Sequence, residues 1–438
     1  MATLEELVDG ILASEDVDVK ALVKLSRQEE TGKVMEGVVP RVQRLVKQIG
    51  GMILSKVVQQ RINSEGLGER TPGVHSYRER SWQTVVGELT LSRGYLKNDE
   101  GCYTFPADDV LGLPRGDCTR ELEYVVTLLS TDGAFETEME RLRAILGIEI
   151  SGTLAAKQVE FHGQRQVEAE KHEQHCVFDQ RQPVASQAPA GSRLVVGMDA
   201  AKYRSREAKD EPWKEMKIGS VGHLDEQGKV KKGKAYIAET DKDSLGRQLY
   251  IEAMRSGMAS AQEIVTIADG ARMNWNLIAE HFPEHRVEIL DYYHAAQHVV
   301  ACATARYGEG TQQAKQWGRT QRRRLKKGQV HKVLEELHRC RKALGRKKPE
   351  VRKLLSDNLA YFQDNQHRMN YARYRKRGYP IGSGFIESAC KQIVTARLRG
   401  SGMRWRRSGA IHIAKLRALA LSGRLYHFVV HRPHAEAA

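Results

Sequence analysis

Cysteine pairs, secretion signals and long apolar runs are all missing from this 438-residue chain. Its six cysteines stand at positions 102, 118, 176, 302, 340 and 390 and form no Cys-x-x-Cys pair. This spacing argues against a structural zinc site and against a disulfide framework. The N-terminus carries acids where a secretory signal needs a basic start, and no stretch approaches the roughly 20 apolar residues of a membrane-spanning helix. We therefore expect a reduced, cytoplasmic protein.

Acidic residues are also in short supply. The chain has 70 Lys and Arg against 55 Asp and Glu, a formal net charge of +15. Such an excess favours association with a polyanion, and nucleic acid is the leading candidate. The alternative is a basic surface without a special partner, so the distribution of charge decides more than its total.

Two segments concentrate the positive charge. Residues 306–348 contain 15 Lys and Arg against 3 Glu, and residues 388–424 contain 9 Lys and Arg and no acid. These bases can neutralise phosphates and release counterions, which gives salt-sensitive binding. A solvated helical face is the alternative for the first segment, and a turn anchored by Trp405 for the second. We therefore expect the protein to associate with the nucleoid. The candidate DNA-binding residues are Arg322, Arg323, Arg324, Lys326, Lys327, Arg397, Arg399, Arg404, Arg406 and Arg407.

The first half of the chain changes its hydrophobic period twice. A helical pattern gives way to alternation between Gln83 and Tyr95, which predicts a strand or hairpin. Two helical patterns, from Ala134 to Leu146 and from Ser151 to Gln164, then resemble a helix-turn-helix with Ser151 as N-cap. This pair is either a DNA reader or an ordinary packing unit.

The second half begins with three strand-like runs, which predict an antiparallel meander. A helix, a strand ending at Asp269, a second helix and a strand ending at Asp291 follow. This is the element order of the ribonuclease H-like fold, and by that analogy we predict a multi-domain α+β protein. The predicted regions are a helical N-terminal region (1–82), a mixed hairpin and helix-turn-helix-like DNA-binding region (83–178), a linker (179–193), the first part of the catalytic core (194–305), a basic and mainly helical insertion (306–378), the C-terminal core helices (379–424) and a tail (425–438).

Three carboxylates are candidates for a catalytic site. Asp199 and Asp269 each follow a buried strand, the usual location of a site in an open α/β sheet, although an Asp there can also cap a turn or helix. Glu387 lies near the start of a helix that follows Gly384, with Lys391 one turn later on the same face. The alternative for this pair is an ordinary i,i+4 ion pair.

These motifs together resemble those of bacterial insertion-sequence transposases. The segments are Gly197-Met-Asp199, Ala268-Asp269-Gly-Ala271, Ile289-Leu-Asp-Tyr-Tyr-His294, Ile381-Gly-Ser-Gly-Phe-Ile-Glu-Ser-Ala-Cys-Lys391 and Arg397-Leu-Arg-Gly-Ser-Gly-Met-Arg-Trp405. They look like the Kra group of DDE enzymes, which is related to the Mutator-like transposases. The likeness spans residues 85–417 and includes Leu111-Gly-Leu-Pro114.

The resemblance implies that Asp199, Asp269 and Glu387 form a catalytic triad that binds two Mg²⁺ ions, with Mn²⁺ as an alternative. Asp291 and His294 match the Asp-x-x-His motif of the Mutator-like enzymes, and we assign them, with Lys391, an auxiliary role. Asp291 could equally be an N-cap, and His294 could be a histidine satisfied at a helix start.

The predicted function is therefore DNA transposition. A transposase of this kind cuts DNA at the ends of its insertion sequence and joins those ends to target DNA, as a homodimer or higher oligomer on DNA. The alternatives are a nuclease or resolvase of the same fold, which cuts without joining, and a DNA-binding protein without catalysis.

Overall fold

The structure, a computed structural model, describes residues 34–67, 74, 76–97, 101, 103–114, 116–186, 188, 191–207, 211–344 and 348–431. The predicted acidic opening of the N-terminal helical region lies outside these residues. The chain divides into two units, residues 1–159 with 424–438, and residues 160–423. This division precedes the predicted linker at 179–193, whose described residues between Asp179 and Arg193 form neither helix nor strand.

A small antiparallel sheet organises the first unit. Its order is β1-β2-β3, with β1 (Ser76–Thr84), β2 (Gly87–Lys97) and β3 (Tyr103–Thr104). The predicted hairpin is confirmed, but its first strand begins before Gln83, because β1 pairs with β2 from Ser76 onward. Helix α1 (Val34–Ser64) lies against β2, and Ile62, Trp82 and Leu91 are buried together between them.

The remaining helices of this unit include the predicted helix pair. Ser151 accepts a hydrogen bond from the Leu154 amide at 3.1 Å, so its predicted capping role is confirmed. Leu122, Val126 and Leu142 are buried in the core that these helices share. The helices are α2 (Pro106–Leu111), α3 (Arg120–Asp132), α4 (Phe135–Leu146), α5 (Gly152–Gln174), which runs on into the second unit, and α16 (Leu425–Val430).

A five-stranded mixed sheet forms the centre of the second unit. Its strands are β4 (Arg193–Arg204), β5 (Trp213–His223), β6 (Ala235–Glu239), β7 (Glu263–Ala268) and β8 (Val287–Leu290), in the order β6-β5-β4-β7-β8. The predicted meander is confirmed, since β4, β5 and β6 pair antiparallel. Strands β4, β7 and β8 are parallel, and α6 (Lys242–Arg255) and α7 (Arg272–His281) occupy the intervals that such crossovers require.

Helices follow the last strand. They are α8 (Tyr292–Tyr307), α9 (Gln312–Lys326), α10 (Val330–Leu344), α11 (Pro349–Asp364) and α12 (Tyr371–Lys376). The predicted helical character of the insertion is confirmed. Its buried residues Leu325, Leu337 and Phe362 belong to the same hydrophobic core as the sheet residues Val196 and Ile267. The described residues of the insertion are therefore packed into the same core as the sheet.

The chain returns to the sheet with α13 (Gly384–Cys390), a π-helical turn (Lys391–Thr395), α14 (Ala396–Leu398) and α15 (Arg407–Leu421). The protein is thus mixed α+β, mostly helical, with one mixed sheet in its larger unit. Among the described residues, no helix is both long and apolar enough to cross a membrane.

A buried lysine ties three elements of this unit together. Lys415 on α15 donates hydrogen bonds to Glu170 on α5 and to Glu239 on β6, and its side chain is 3% exposed. Burial raises the pKa of Glu239 to about 6, while the Lys415 ammonium opposes this shift. Glu239 therefore depends on Lys415 to remain ionised inside the protein.

We predict that Lys415→Met lowers the free energy of unfolding by about 3–5 kcal/mol at pH 8, because the buried Glu239 and the partly buried Glu170 lose their counter-charge. In the variant, the pKa of Glu239, which burial already raises to about 6, should rise further because the opposing ammonium is gone. Such a group binds its proton more tightly in the folded state, so stability falls as pH rises through that range. The loss should accordingly be smaller at pH 5. Urea unfolding at both pH values measures it, with the exposed Lys231→Met as control.

Candidate functional site

The first two predicted acids lie at one edge of the mixed sheet. The parallel pairing of β4 with β7 ends at Gly197 and Ile267, and Asp199 and Asp269 each follow two residues later. Asp269 comes directly after β7, as predicted. The prediction that β4 stops at Asp199 is wrong, because β5 continues to pair with β4 as far as Arg204. Asp199 therefore lies on β4 just beyond the last residue that pairs with β7, where β5 is still its partner strand.

Electrostatics indicates that the three predicted acids lie near one another. Burial raises the pKa of Asp199 above its ordinary value, and the negative charges of Asp269 and Glu387 raise it further. Hydrogen bonding from the Ala200 amide, at 2.7 Å from Oδ1, and the nearby His294 oppose the shift. Asp199 thus lies close enough to Asp269 and Glu387 to be affected by their charges.

Asp269 is held by its own turn. Its Oδ1 accepts hydrogen bonds from Asn274 Nδ2 at 2.7 Å and from the Ala271 amide at 3.1 Å. The structural alternative for this residue, an acid that stabilises a turn before a helix, is therefore realised as well. The two roles are compatible, since a turn that fixes the carboxylate also orients it.

Glu387 is placed by the packing of α13 on β4. A Cβ built at Gly197 would lie 2.5 Å from Phe385 Cζ and 3.4 Å from Ile386 Cβ, so only glycine admits this close approach. Glu387 itself is partly buried, and its charge reaches Asp199 and the buried Cys390. Lys391, the first residue of the π-helical turn, is exposed.

Asp291 is completely buried and caps α8. It accepts hydrogen bonds from the amides of Tyr293 and His294, from the Ser383 amide at 2.8 Å and from the Ser383 hydroxyl. These hydrogen bonds outweigh burial and lower its pKa. The N-cap alternative is confirmed for Asp291, which joins α8 to the turn that precedes Glu387.

His294 faces the acids from the first turn of α8. Its Nδ1 lies 3.8 Å from Asp291 Oδ2, and this neighbour raises the pKa of the imidazole, while burial opposes the rise. The charges of Asp269 and Asp199 raise it further. When protonated, His294 is therefore a positive charge beside the negative charges of Asp291, Asp269 and Asp199.

The donor set has the chemistry that hard divalent cations prefer, since Asp199, Asp269 and Glu387 all supply carboxylate oxygens. Burial, and after it the charges of Asp269 and Glu387, raise the pKa of Asp199, and a bound cation would offset both effects. As the side chains stand, however, the described residues contain no group of three His, Cys, Asp or Glu arranged to hold a metal ion. Coordination would require the carboxylates to turn towards a common point.

Most of the predicted DNA-binding residues lie on the surface of the second unit. Arg322, Arg323, Lys326 and Lys327 on or directly after α9 are exposed, as are Arg399, Arg404, Arg406 and Arg407, while Arg324 is partly buried. The prediction is wrong for Arg397, which is 1% exposed and stacks its guanidinium 4.9 Å from the centre of the Trp405 ring. Trp317 packs against the core and donates to Glu336 at 3.3 Å.

A basic groove of about 550 Å³ lies between α10 and α11. We call it the insertion groove. Its lining is mainly cationic and comprises Glu335, His338, Arg339, Arg341, Lys342 and Arg352. The predicted residues between Arg322 and Lys327 do not line this groove. Four of its lining residues, Glu335, Arg339, Arg341 and Lys342, are nevertheless among the charged residues counted in segment 306–348.

Several residues of the site escaped the sequence-based prediction. Asn274, Ser383 and Tyr361 contact the turns that carry Asp269 and Asp291. Only Ser383 had a signal, because it lies in the glycine-rich turn before Glu387. Asn274 and Tyr361 are ordinary helix residues by sequence, and only the fold brings them to the acids.

The comparison with family models matches residues 29–431 to a family described as "Uncharacterised protein family (UPF0236)". The match covers nearly the whole chain, including both units and every candidate site residue. No curated protein matches the chain. The geometry of the site therefore has to support any functional assignment.

We predict that Gly197→Ala separates α13 from β4. The added methyl would overlap Phe385, and such overpacking costs about 1–3 kcal/mol of stability. Urea unfolding measures the loss, and Gly384→Ala is the matched control. Gly384 has open space around its Cβ position and lies in the same helix as Glu387, so that variant should be at least as stable as the native chain. Equal stabilities for the two variants would contradict the close approach at Gly197.

Proposed function

Because the chain belongs to the uncharacterised protein family UPF0236, which carries no assigned activity, we propose its function from the site: a metal-dependent DNA transposase of the DDE type. The observation that carries this proposal is that Asp199 on β4, Asp269 directly after β7 and Glu387 on the distant helix α13 come near one another. Residues 70 and 118 positions apart in sequence have no local structural reason to concentrate like charge there.

The sheet supports a ribonuclease H-like assignment for the core. An antiparallel meander of three strands, extended on the side of its first strand by two parallel strands, has the element order and the strand order expected of that fold. The acids lie beside the carboxyl ends of the parallel strands, where open sheets place their sites. The resemblance of the motifs to the Kra group of insertion-sequence transposases agrees with this assignment.

The proposed chemistry proceeds by in-line displacement at phosphorus. Water attacks a phosphate at the end of the element, the bond from phosphorus to the 3′ oxygen breaks, and a 3′-hydroxyl is released. That hydroxyl then attacks a phosphate of target DNA and displaces another 3′ oxygen. The second step exchanges one phosphodiester for another, so it needs no external source of energy.

The residues divide this work among them. Asp199, Asp269 and Glu387 would hold Mg²⁺ or Mn²⁺, which when bound stabilises the charge that develops on the attacking and departing oxygens. Asn274 and the Ala271 amide orient Asp269, and Asp291 orients the start of α8. His294, with its pKa raised, would present a positive charge or a proton to a DNA phosphate bound beside the three acids.

DNA is the proposed partner because the surface of the second unit offers two sets of cations. The insertion groove gathers Arg339, Arg341, Lys342 and Arg352 in a concave surface, where they can follow a phosphate backbone. Arg399, Arg404 and Arg406 are exposed in the segment that follows Glu387. Pairing two element ends would require at least two copies of the chain, which is the basis for proposing an oligomer on DNA.

A nuclease or resolvase with the same acids is the second candidate, and it is favoured by the same geometry up to the first cleavage. The two differ in whether the released 3′-hydroxyl is used. A protein that only binds DNA would gain nothing from three neighbouring carboxylates, since their negative charge repels phosphate.

We predict that the native chain nicks and joins a DNA fragment bearing element ends in Mg²⁺, while Asp199→Asn, Asp269→Asn and Glu387→Gln do not. Each substitution removes a cation ligand, and several kcal/mol of lost charge stabilisation corresponds to about 100-fold or more in rate. Denaturing gels of labelled strands measure both products.

Glu226→Gln, an exposed acid in the turn after β5, is the control and should retain full activity. DNA binding should survive in all four variants. Full activity of Glu387→Gln would show that the third acid is misassigned. Nicking without joining, on paired ends, would favour the nuclease.

We predict that Arg341→Gln with Lys342→Gln weakens DNA binding and reduces its salt dependence. Each lost phosphate contact should lower the slope of log affinity against log salt by about 0.9. Fluorescence anisotropy in EDTA between 50 and 200 mM salt gives this slope without interference from cleavage. The control, Lys231→Gln with Lys232→Gln, makes the same charge change at exposed positions. Identical slopes for both double variants would rule out the insertion groove as a backbone contact.

A further inference from the structure

We infer that Tyr361 on α11 is a positioning residue for Asp269: its ring fixes the Asp269–Gly270 turn, and its hydroxyl donates a hydrogen bond to the Asp269 carboxylate when the site takes up a divalent cation. This inference rests on the proposed function and deepens it, because it makes the helical insertion a contributor to the catalytic site.

The packing of the ring against the Asp269 turn is the first observation. A Cβ built at Gly270 would lie 2.0 Å from Tyr361 Cε2, so the ring occupies the space beside the residue that directly follows Asp269. Any residue larger than glycine at position 270 would force the ring or the turn to move. Tyr361 therefore limits where the Asp269 carboxylate can point.

The ring is itself held in place. It stacks on the imidazole of His298, with ring centres 3.8 Å apart and an angle of 18° between the planes. His298 Nδ1 lies 2.7 Å from Asn358 Oδ1, and Asn358 Nδ2 donates to the Leu354 carbonyl at 2.8 Å. Because the amide nitrogen is committed to that carbonyl, its oxygen accepts from His298. Two helices, α8 and α11, thus hold the tyrosine from behind.

The hydroxyl is the third observation. The Tyr361 oxygen is shielded from solvent, and no hydrogen-bond partner reaches it within the part of the chain that the structure describes. Burial raises the pKa of the phenol well above its usual range, and the charges of Asp269 and Asp291 add to the shift. The group therefore stays protonated and available as a donor, and a buried donor without a partner lowers stability.

Asp269, whose turn the Tyr361 ring contacts at Gly270, has spare acceptor capacity. Both hydrogen bonds that the described residues make to its carboxylate end on Oδ1, from Asn274 and Ala271. Oδ2 is free to accept a further hydrogen bond. A donor behind a metal-binding carboxylate fixes its orientation, and removal of such outer partners typically weakens metal affinity.

The test compares Tyr361→Phe with the native full-length chain. In EDTA the variant should be as stable as the native chain or slightly more stable, because it loses a buried hydroxyl that has no partner. Thermal shifts titrated with Mn²⁺ should show an apparent affinity about tenfold weaker in the variant. Nicking at saturating DNA should slow by a similar factor, while the dissociation constant for DNA in EDTA stays unchanged.

Tyr374→Phe is the matched control. That hydroxyl, on α12 of the same insertion, already donates towards the carbonyls of Glu288 and His367, at 3.2 and 3.3 Å. Its removal should lower stability and leave the Mn²⁺ affinity unchanged. The two tyrosines therefore separate a hydroxyl used for folding from one used at the site.

The outcomes distinguish this inference from the function on which it rests. Native Mn²⁺ affinity and native nicking in Tyr361→Phe would overturn the inference alone. Lower stability of Tyr361→Phe in EDTA would also overturn it, since the hydroxyl would then have a partner in the folded chain. If the native chain neither responds to Mn²⁺ nor nicks DNA, the proposed function fails and the inference fails with it.

Discussion

The parallel pairing of β4 with β7 is the interaction on which the candidate site depends. Seventy residues separate Asp199 from Asp269 in sequence, and backbone hydrogen bonds between the two strands bring them to one sheet edge. The pairing stops at Gly197 and Ile267, while β4 continues beside β5. Asp199 therefore lies beyond the last β4–β7 pair, with β5 still as its partner strand.

A second constraint connects the three candidate acids to the rest of the unit. Asp291 receives four hydrogen bonds from two elements, the start of α8 and the turn at Ser383. It is fully buried, and a buried carboxylate is tolerated only when its acceptor capacity is used. The close contact of α13 with Gly197 then completes the placement of Glu387. The helical insertion between these two elements can be long because its own residues join the core of the sheet.

The charges of the site and of the surface are organised differently. Acids gather where the backbone is rigid and partly buried, so their repulsion is not screened by water. Cations lie on exposed helices, where each costs little and all can contribute to a long-range attraction for a polyanion. Arg397 departs from this pattern, since its guanidinium is buried on Trp405 and anchors the segment whose other arginines are exposed. Charge in sequence therefore shows the tendency of a segment but not the role of each residue.

Local sequence determined the elements. Apolar alternation and glycine or capping residues are properties of short segments, so the hairpin, the helix pair with its Ser151 cap, the meander and the element order could all be predicted. The same is true of Asp269, which directly follows a hydrophobic strand. Only the tertiary structure decided that β4 continues past Asp199 and that Asp291 is buried between the start of α8 and the turn at Ser383. It also decided that Asn274 and Tyr361 contact the Asp269 turn. These contacts join residues far apart in sequence, and their partners are selected by strand pairing and packing, which leave no period or spacing in the sequence itself.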